Sequence, residues 1–258
     1  MRRSKLGAAL ALAGVLIGVA VAVVLSNGSA GSSSAERSLP PPPRPAFAPK
    51  NVALGPSPAA FWAPVRASVS ARVGPAQPEV AGVIPRRTPE GTTNIVLVLG
   101  HAERVAGRLW VRVRFPGVPE DARGWVPRSV IGGYAPVRTR LVVDRARLTA
   151  TLVRGPRVVF RTRVGIGTAS APTPGGHFYV RNQLSRYRTP FYGPIAFGTT
   201  ARSPGASDWP GGGFVGIHGT NRPDLIPGRV SRGCIRMANE DIVRLARLMP
   251  IGTLLTVR

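Results

Sequence analysis

From about residue 61 to residue 134, apolar positions come in short runs broken by turn residues. Residues 109–115 (LWVRVRF) alternate apolar and polar side chains, the two-residue period of a half-buried strand. Residues 95–99 form an apolar run that Gly100 is expected to end, leaving His101 on a surface loop. Further along, residues 141–144, 147–153 and 157–164 predict three successive strands, the last two joined by a turn at Arg154, Gly155 and Pro156. On the third of these, Val158, Phe160, Thr162 and Val164 should share one face, with Arg157, Arg161 and Arg163 on the other. Phe214, Val215 and Ile217 predict a short strand leading into His218, and residues 254–257 a closing strand. One helix is expected: Asn239 as its N-cap, Glu240 and Asp241 in the first turn, Ile242, Leu245 and Met249 as its apolar face, and Pro250 as its stop. The pattern is that of a mostly β protein.

The N-terminal stretch reads differently. Residues 1–5 are basic, and residues 6–25 are an uncharged run of about twenty, the length a helix needs to cross a bilayer, roughly 20 residues. An uncleaved anchor is preferred to a cleaved signal peptide, whose apolar part is usually about 7–15 residues long. Either way the basic flank stays inside and the chain after Ser26 is exported. Residues 27–59 are rich first in Gly and Ser and then in Pro, a semi-rigid spacer. The expected organisation is therefore 1–26 anchor or signal, 27–59 linker, 60–134 a small β module, and 137–258 a second domain.

Charge narrows the partners. The net charge is +24, and nearly all of it is arginine, since lysine occurs only at positions 5 and 50. Such a chain attracts polyanions. The arginines are spread along every segment and do not interleave with aromatics, so nucleic acid is not the expected partner. Anionic wall polymers or a membrane surface fit an exported chain better. A single cysteine, Cys234, excludes an internal disulfide and zinc-finger spacing, and HExxH and EF-hand patterns are absent, so neither a metal nor a cofactor is expected.

Candidate chemistry concentrates in residues 214–237 (FVGIHGTNRPDLIPGRVSRGCIRM). A lone cysteine is most often a small buried hydrophobe. Here, however, His218 lies sixteen residues before Cys234, and the intervening segment, with two prolines and a glycine in residues 221–228, can return the chain. Cysteine chemistry needs a thiolate, a proton acceptor and donors aimed where negative charge grows. The turn Ser231, Arg232, Gly233, Cys234 leaves backbone N–H groups open to an oxyanion, because Gly233 has no side chain. Residues 190–197 (PFYGPIAF), with Tyr192, suit packing near a substrate groove, and residues 202–213 could form a flap that closes Trp209 over substrate.

His218 and Gly219, then Ser231, Gly233, Cys234 and Arg236, resemble the signature of the YkuD-type L,D-transpeptidases of bacterial cell walls, and residues 173–178 (TPGGHF) resemble that family's Thr-Pro-x-Gly-x-Phe turn. Arg232 stands where the family usually has a second histidine. Residues 124–127 (GWVP) resemble the end of a bacterial SH3-like barrel. The resemblance implies a mixed β-sandwich catalytic domain over residues 137–258, with Cys234 as nucleophile and His218 as base, its ring oriented by the carbonyl of Gly219. It also implies amides of Arg232, Gly233 and Cys234 around an oxyanion, and Ser231 and Arg236 ordering the turn or binding a stem carboxylate. His177 occupies the variable position of its motif and is not expected to act as a base. The substrates implied are peptidoglycan stem peptides. The rival readings are an L,D-carboxypeptidase built on the same residues and a wall-binding protein that lost catalysis when Arg232 replaced histidine.

Overall fold

The computed structural model describes residues 60–117, 120–185, 189–203, 205 and 213–258. The anchor and linker expected over 1–59, and Trp209 of the expected flap, lie outside the described residues. Among those residues, no helix is long and apolar enough to cross a membrane.

The first sheet has seven strands: β1 (Ala60–Pro64), β2 (Val69–Arg72), β3 (Val80–Ile84), β4 (Ile95–Val105), β5 (Arg108–Arg114), β6 (Arg123–Pro127) and β7 (Ala135–Val137), ordered β3-β2-β6-β5-β4-β1-β7. Alternation along β5 works as expected, with Val111 and Val113 turned into the core that also takes Val96, Val98 and Val126. Two expectations change here. Gly100 does not end a strand: β4 runs through it at φ +81°, with a register shift against β5 between Val98 and Ala102. Glycine in a strand often marks a bulge, which re-aims the strand without stopping it, so His101 lies within β4 and not in a loop. The sheet also extends past residue 134, because β7 pairs with β1.

The second sheet contains β8 (Thr139–Asp144), β9 (Thr149–Arg154), β10 (Arg157–Arg163), β11 (Gly165–Gly167), β12 (Gly176–Leu184), β13 (Ala196–Arg202), β14 (Phe214–His218), β15 (Gly228–Ser231), β16 (Ile235–Arg236) and β17 (Leu254–Val257), and the helix α1 (Asn239–Leu248) precedes β17. Their order is β10-β9-β8-β17-β12-β13-β14-β16-β11-β15. Strand β12 is the hinge of this arrangement. Residues 176–179 pair with β17 and residues 180–184 with β13, so one strand serves both halves of the sheet. Leu141, Leu152 and Phe160 from one half share a core with Val180, Phe197, Val215, Ile217 and Ile235 from the other, and α1 adds Ile242 and Leu245. The result is a β-sandwich.

Strand β10 departs from simple alternation. A register shift between Val158 and Phe160 turns Val158 outward, 58% exposed, while Phe160 stays in the core. Asn239 does not cap its helix. It is the first residue of α1, Ala238 takes the cap position without a side-chain bond, and the Asn239 side-chain Oδ1 accepts from Thr220 N at 2.9 Å.

The two sheets meet through Ile95, Leu97 and Val137 of the first and Tyr179 of the second, with Trp62 and Leu254 packed against them. Tyr179 Oη donates to the Ile95 carbonyl at 3.2 Å. Gly252, at φ +82°, lies so close that an added Cβ would sit 2.2 Å from Trp62 Cδ1. Gly155 has a similar backbone, φ +57°, but open space around it. Gly252→Ala is therefore expected to cost at least about 2 kcal/mol, combining a left-handed backbone with overpacking, and Gly155→Ala only about 1–2 kcal/mol. Thermal denaturation of the two variants checks this; equal losses would show that Trp62 gives way freely.

Candidate active site

The site is built by one parallel pairing. Strand β14 lies beside β16 with Ile217 opposite Ile235 and His218 opposite Arg236. Side chains alternate along each strand, and Ile217 and Ile235 both point into the core. His218 and Arg236 therefore point to the other face, as do Gly216 and, just before β16, Cys234. The sulfur sits against the backbone of Gly216, whose N–H donates to Cys234 Sγ at 3.3 Å. His218 lies two residues further along β14, about 6.6 Å at the rise of a strand. Cys234 also packs against the cluster of Tyr192, Ala196 and Phe214 on this face. The sulfur-bearing residue is half-buried, whereas His218 is 0% exposed.

The imidazole is fixed from several directions. Its Nδ1 donates to the Gly219 carbonyl at 2.6 Å. A carbonyl can only accept, so the proton of the neutral ring is on Nδ1, and Nε2 carries the basic lone pair. Tyr192 meets the ring edge-on at 4.8 Å between centroids and 71° between planes, and Phe191 lies 6.0 Å away. The backbone on either side is held as well: Met237 N donates to the His218 carbonyl at 3.0 Å. Asn239 fixes Thr220, and its side chain fills the space that a Cβ on Gly219 would need. Burial pushes the His218 pKa down to about 3; the Gly219 carbonyl opposes this and the Arg236 guanidinium adds to it. The resting ring is neutral, the form able to accept a proton.

The cysteine turn is pinned by hydroxyls. Ser231 Oγ donates to the Cys234 carbonyl at 2.6 Å and accepts from Gly233 N at 3.2 Å. Buried as it is, Ser231 orders the turn, and the Gly233 amide is engaged by it. Thr173 Oγ1 donates to the Gly233 carbonyl at 2.8 Å and accepts from Gly167 N at 2.9 Å. Gly233 adopts φ +113°, and a Cβ there would collide with Ser203. Arg232 is exposed and lines an open cavity of about 540 Å³ with Thr168, Ser170, Val230 and Ser231. Arg236 stacks its guanidinium 4.4 Å over the Phe191 ring.

The structure thus gathers Cys234, His218, Gly219, Ser231, Arg232, Gly233, Arg236 and Tyr192 around one turn and one sheet face. Tyr192 is buried against His218 and supports the imidazole. His177 lies elsewhere, on β12 with its Nδ1 3.3 Å from Thr256 Oγ1. Thr173 and Asn239 were missed as site residues. The first stood in a recognisable motif, while the second read as an ordinary helix cap. Among the described residues, no group of three or more His, Cys, Asp or Glu could hold a metal ion.

A β-sandwich that carries a buried neutral imidazole and a cysteine on one sheet face defines the class of this domain. Residues 138–257 match the model of the YkuD family, the L,D-transpeptidase catalytic domain. It is 39% identical over 117 residues to YkuD of Bacillus subtilis strain 168, provisionally named an L,D-transpeptidase, covering 45% of this chain and 64% of that protein. A second B. subtilis relative with the same provisional name, YqjB, is 35% identical over 98 residues, covering 35% of this chain and 54% of its own. Among solved structures, the catalytic domain of the Enterococcus faecium L,D-transpeptidase aligns with a TM-score of 0.37 at 25% identity, covering 46% of this chain and 96% of that one. The chain thus spans less than two thirds of the curated relatives it matches.

Thr173→Val is expected to strand the buried Gly167 N–H and lower stability by about 1–3 kcal/mol. Alkylation of Cys234 should slow at the same time, because the Gly233 carbonyl loses its anchor. Thr173→Ser should keep both properties near wild type. A valine variant with unchanged melting and unchanged thiol reactivity would remove Thr173 from the site.

Proposed function

We propose that the protein is a peptidoglycan L,D-transpeptidase in which Cys234 is the nucleophile and His218 the general base. The observation that carries this reading is the ring's tautomer: the Gly219 carbonyl holds Nδ1–H, so the basic Nε2 belongs to a buried residue on the same face as Cys234. In the first step Nε2 takes the thiol proton while sulfur attacks the carbonyl of the third residue of a tetrapeptide stem. The tetrahedral intermediate collapses, the carbon–nitrogen bond to the terminal D-alanine breaks, and the imidazolium returns its proton to the leaving amine. In the second step an amine of another stem attacks the thioester, His218 takes its proton, and the sulfur leaves and is reprotonated. The Gly216 N–H on Cys234 Sγ supports the reading, since charge-assisted bonds to a thiolate are stronger than bonds to a thiol.

The amides of Arg232 and Cys234 are the proposed oxyanion donors, each worth about 2.7–4 kcal/mol if it acts as such donors do elsewhere. The Gly233 amide is less suited, because Ser231 Oγ occupies it. Arg232 supplies no base. Its exposed cation, which lines the cavity, favours a thiolate and an anionic stem. The seven-stranded sheet is read as the SH3-like module, the apolar run at residues 6–25 as a tether at the outer face of the membrane, and the arginine excess as affinity for anionic wall polymers or the membrane surface.

The test is incubation of purified protein with disaccharide tetrapeptide and analysis of the products. Wild type should give cross-linked dimers and free D-alanine, and Cys234→Ala none. His218→Ala should lose at least about 10²–10⁴-fold, whereas Arg232→His should change the rate modestly. Shortened monomers without dimers would make the protein a carboxypeptidase, and full activity in His218→Ala would end the assignment of the base.

A further inference from the structure

The first sheet touches the second at a place where packing alone cannot explain the residues used. The chain has only 11 acidic residues. One of them, Glu90, is at the tip of the loop between β3 and β4, which closes through Thr88 N to the Thr92 carbonyl at 2.8 Å and Gly91 N to the Thr88 carbonyl at 2.9 Å. That loop reaches into the second sheet. Glu90 Oε1 accepts from Arg181 of β12, and both side chains are 2% exposed. Glu90 Oε2 accepts from Asn182 Nδ2 at 3.0 Å.

Arg181 continues toward the catalytic face. Its guanidinium lies 4.0 Å over the ring of Phe214. Phe214 opens β14, shares its face with His218, and belongs to the cluster against which Cys234 packs. A buried guanidinium keeps its charge, so without a carboxylate it must either take in water or move outward. Either response displaces the ring that rests on it.

We propose that Glu90 is a positioning residue of the catalytic site: the first sheet supplies the counter-ion that lets Arg181 stay buried under Phe214, and so holds the face on which Cys234 reacts. The first sheet is then a structural part of the catalytic unit and not only a wall-facing appendage. This rests on the reading of Cys234 as the reactive residue, but its test does not require stem peptides.

Cys234 is the only cysteine, so iodoacetamide reads its reactivity directly in the full-length chain. Alkylation rates are measured from pH 5 to 9, at a temperature where circular dichroism shows each variant folded. Glu90→Gln is expected to slow alkylation at least about tenfold and to displace its pH profile, since small misplacements in a site carry penalties of that size or more. Glu90→Asp should recover part of the rate, and Glu79→Gln, an exposed acid just before β3, should match wild type. If Glu90→Gln does not fold, Glu90→Gln combined with Arg181→Met removes both charges at similar volume. That double variant should alkylate within about threefold of wild type. A folded Glu90→Gln protein with a wild-type profile, or a double variant that folds but stays tenfold slow, overturns the proposal. Loss of cross-linking with Glu90-dependent alkylation intact would instead count against the proposed reaction alone.

Discussion

The site depends on the parallel pairing of β14 with β16. Two residues sixteen apart in sequence share a sheet face because Ile217 and Ile235 are paired and both are committed to the core. A one-residue slip of β14 would turn Ile217 out of the core and the imidazole into it, so the hydrophobic core enforces the register that brings His218 and Cys234 to one face. The loop over residues 219–227 only has to close that pairing. Ser231 and Thr173 then set the turn that enters β16.

Burial of His218 has two effects that act together. It fixes the ring among Tyr192, Phe191 and the Gly219 carbonyl, and it removes the water that would stabilise an imidazolium. With Arg236 nearby, the ring stays neutral far below the usual range for histidine. A neutral base beside a thiol differs from a preformed thiolate–imidazolium pair. In the proposed reaction, proton transfer then accompanies the chemistry, when substrate and oxyanion donors are present to stabilise the charge that forms. The sulfur is half-buried, and the imidazole is fully buried.

Much of this was legible in the chain. Alternation in β5, the apolar faces of β8 and β9, and the helix with Ile242 and Leu245 follow from periodicity, because each buries one side against a core. The two misreadings in the strands have one cause: a bulge shifts the period locally, which extended β4 past Gly100 and turned Val158 to solvent. Cys234, His218 and the Gly219 carbonyl were readable because they lie in one short motif. Asn239 was not, since its partner Thr220 is a tertiary neighbour and its local context says helix cap. Glu90 was invisible for the same reason at longer range: its partner is 91 residues away, and nothing local separates a buried glutamate from a loop glutamate.

The central claim is that His218 rests as a neutral ring protonated on Nδ1, with Nε2 serving Cys234. Nitrogen-15 NMR of histidine-labelled protein reads this directly. The Nδ1–H tautomer should persist from neutral pH down toward about 3, and alkylation of Cys234 should shift the Nε2 resonance. An Nε2–H tautomer, an imidazolium at neutral pH, or an Nε2 signal indifferent to Cys234 would contradict it.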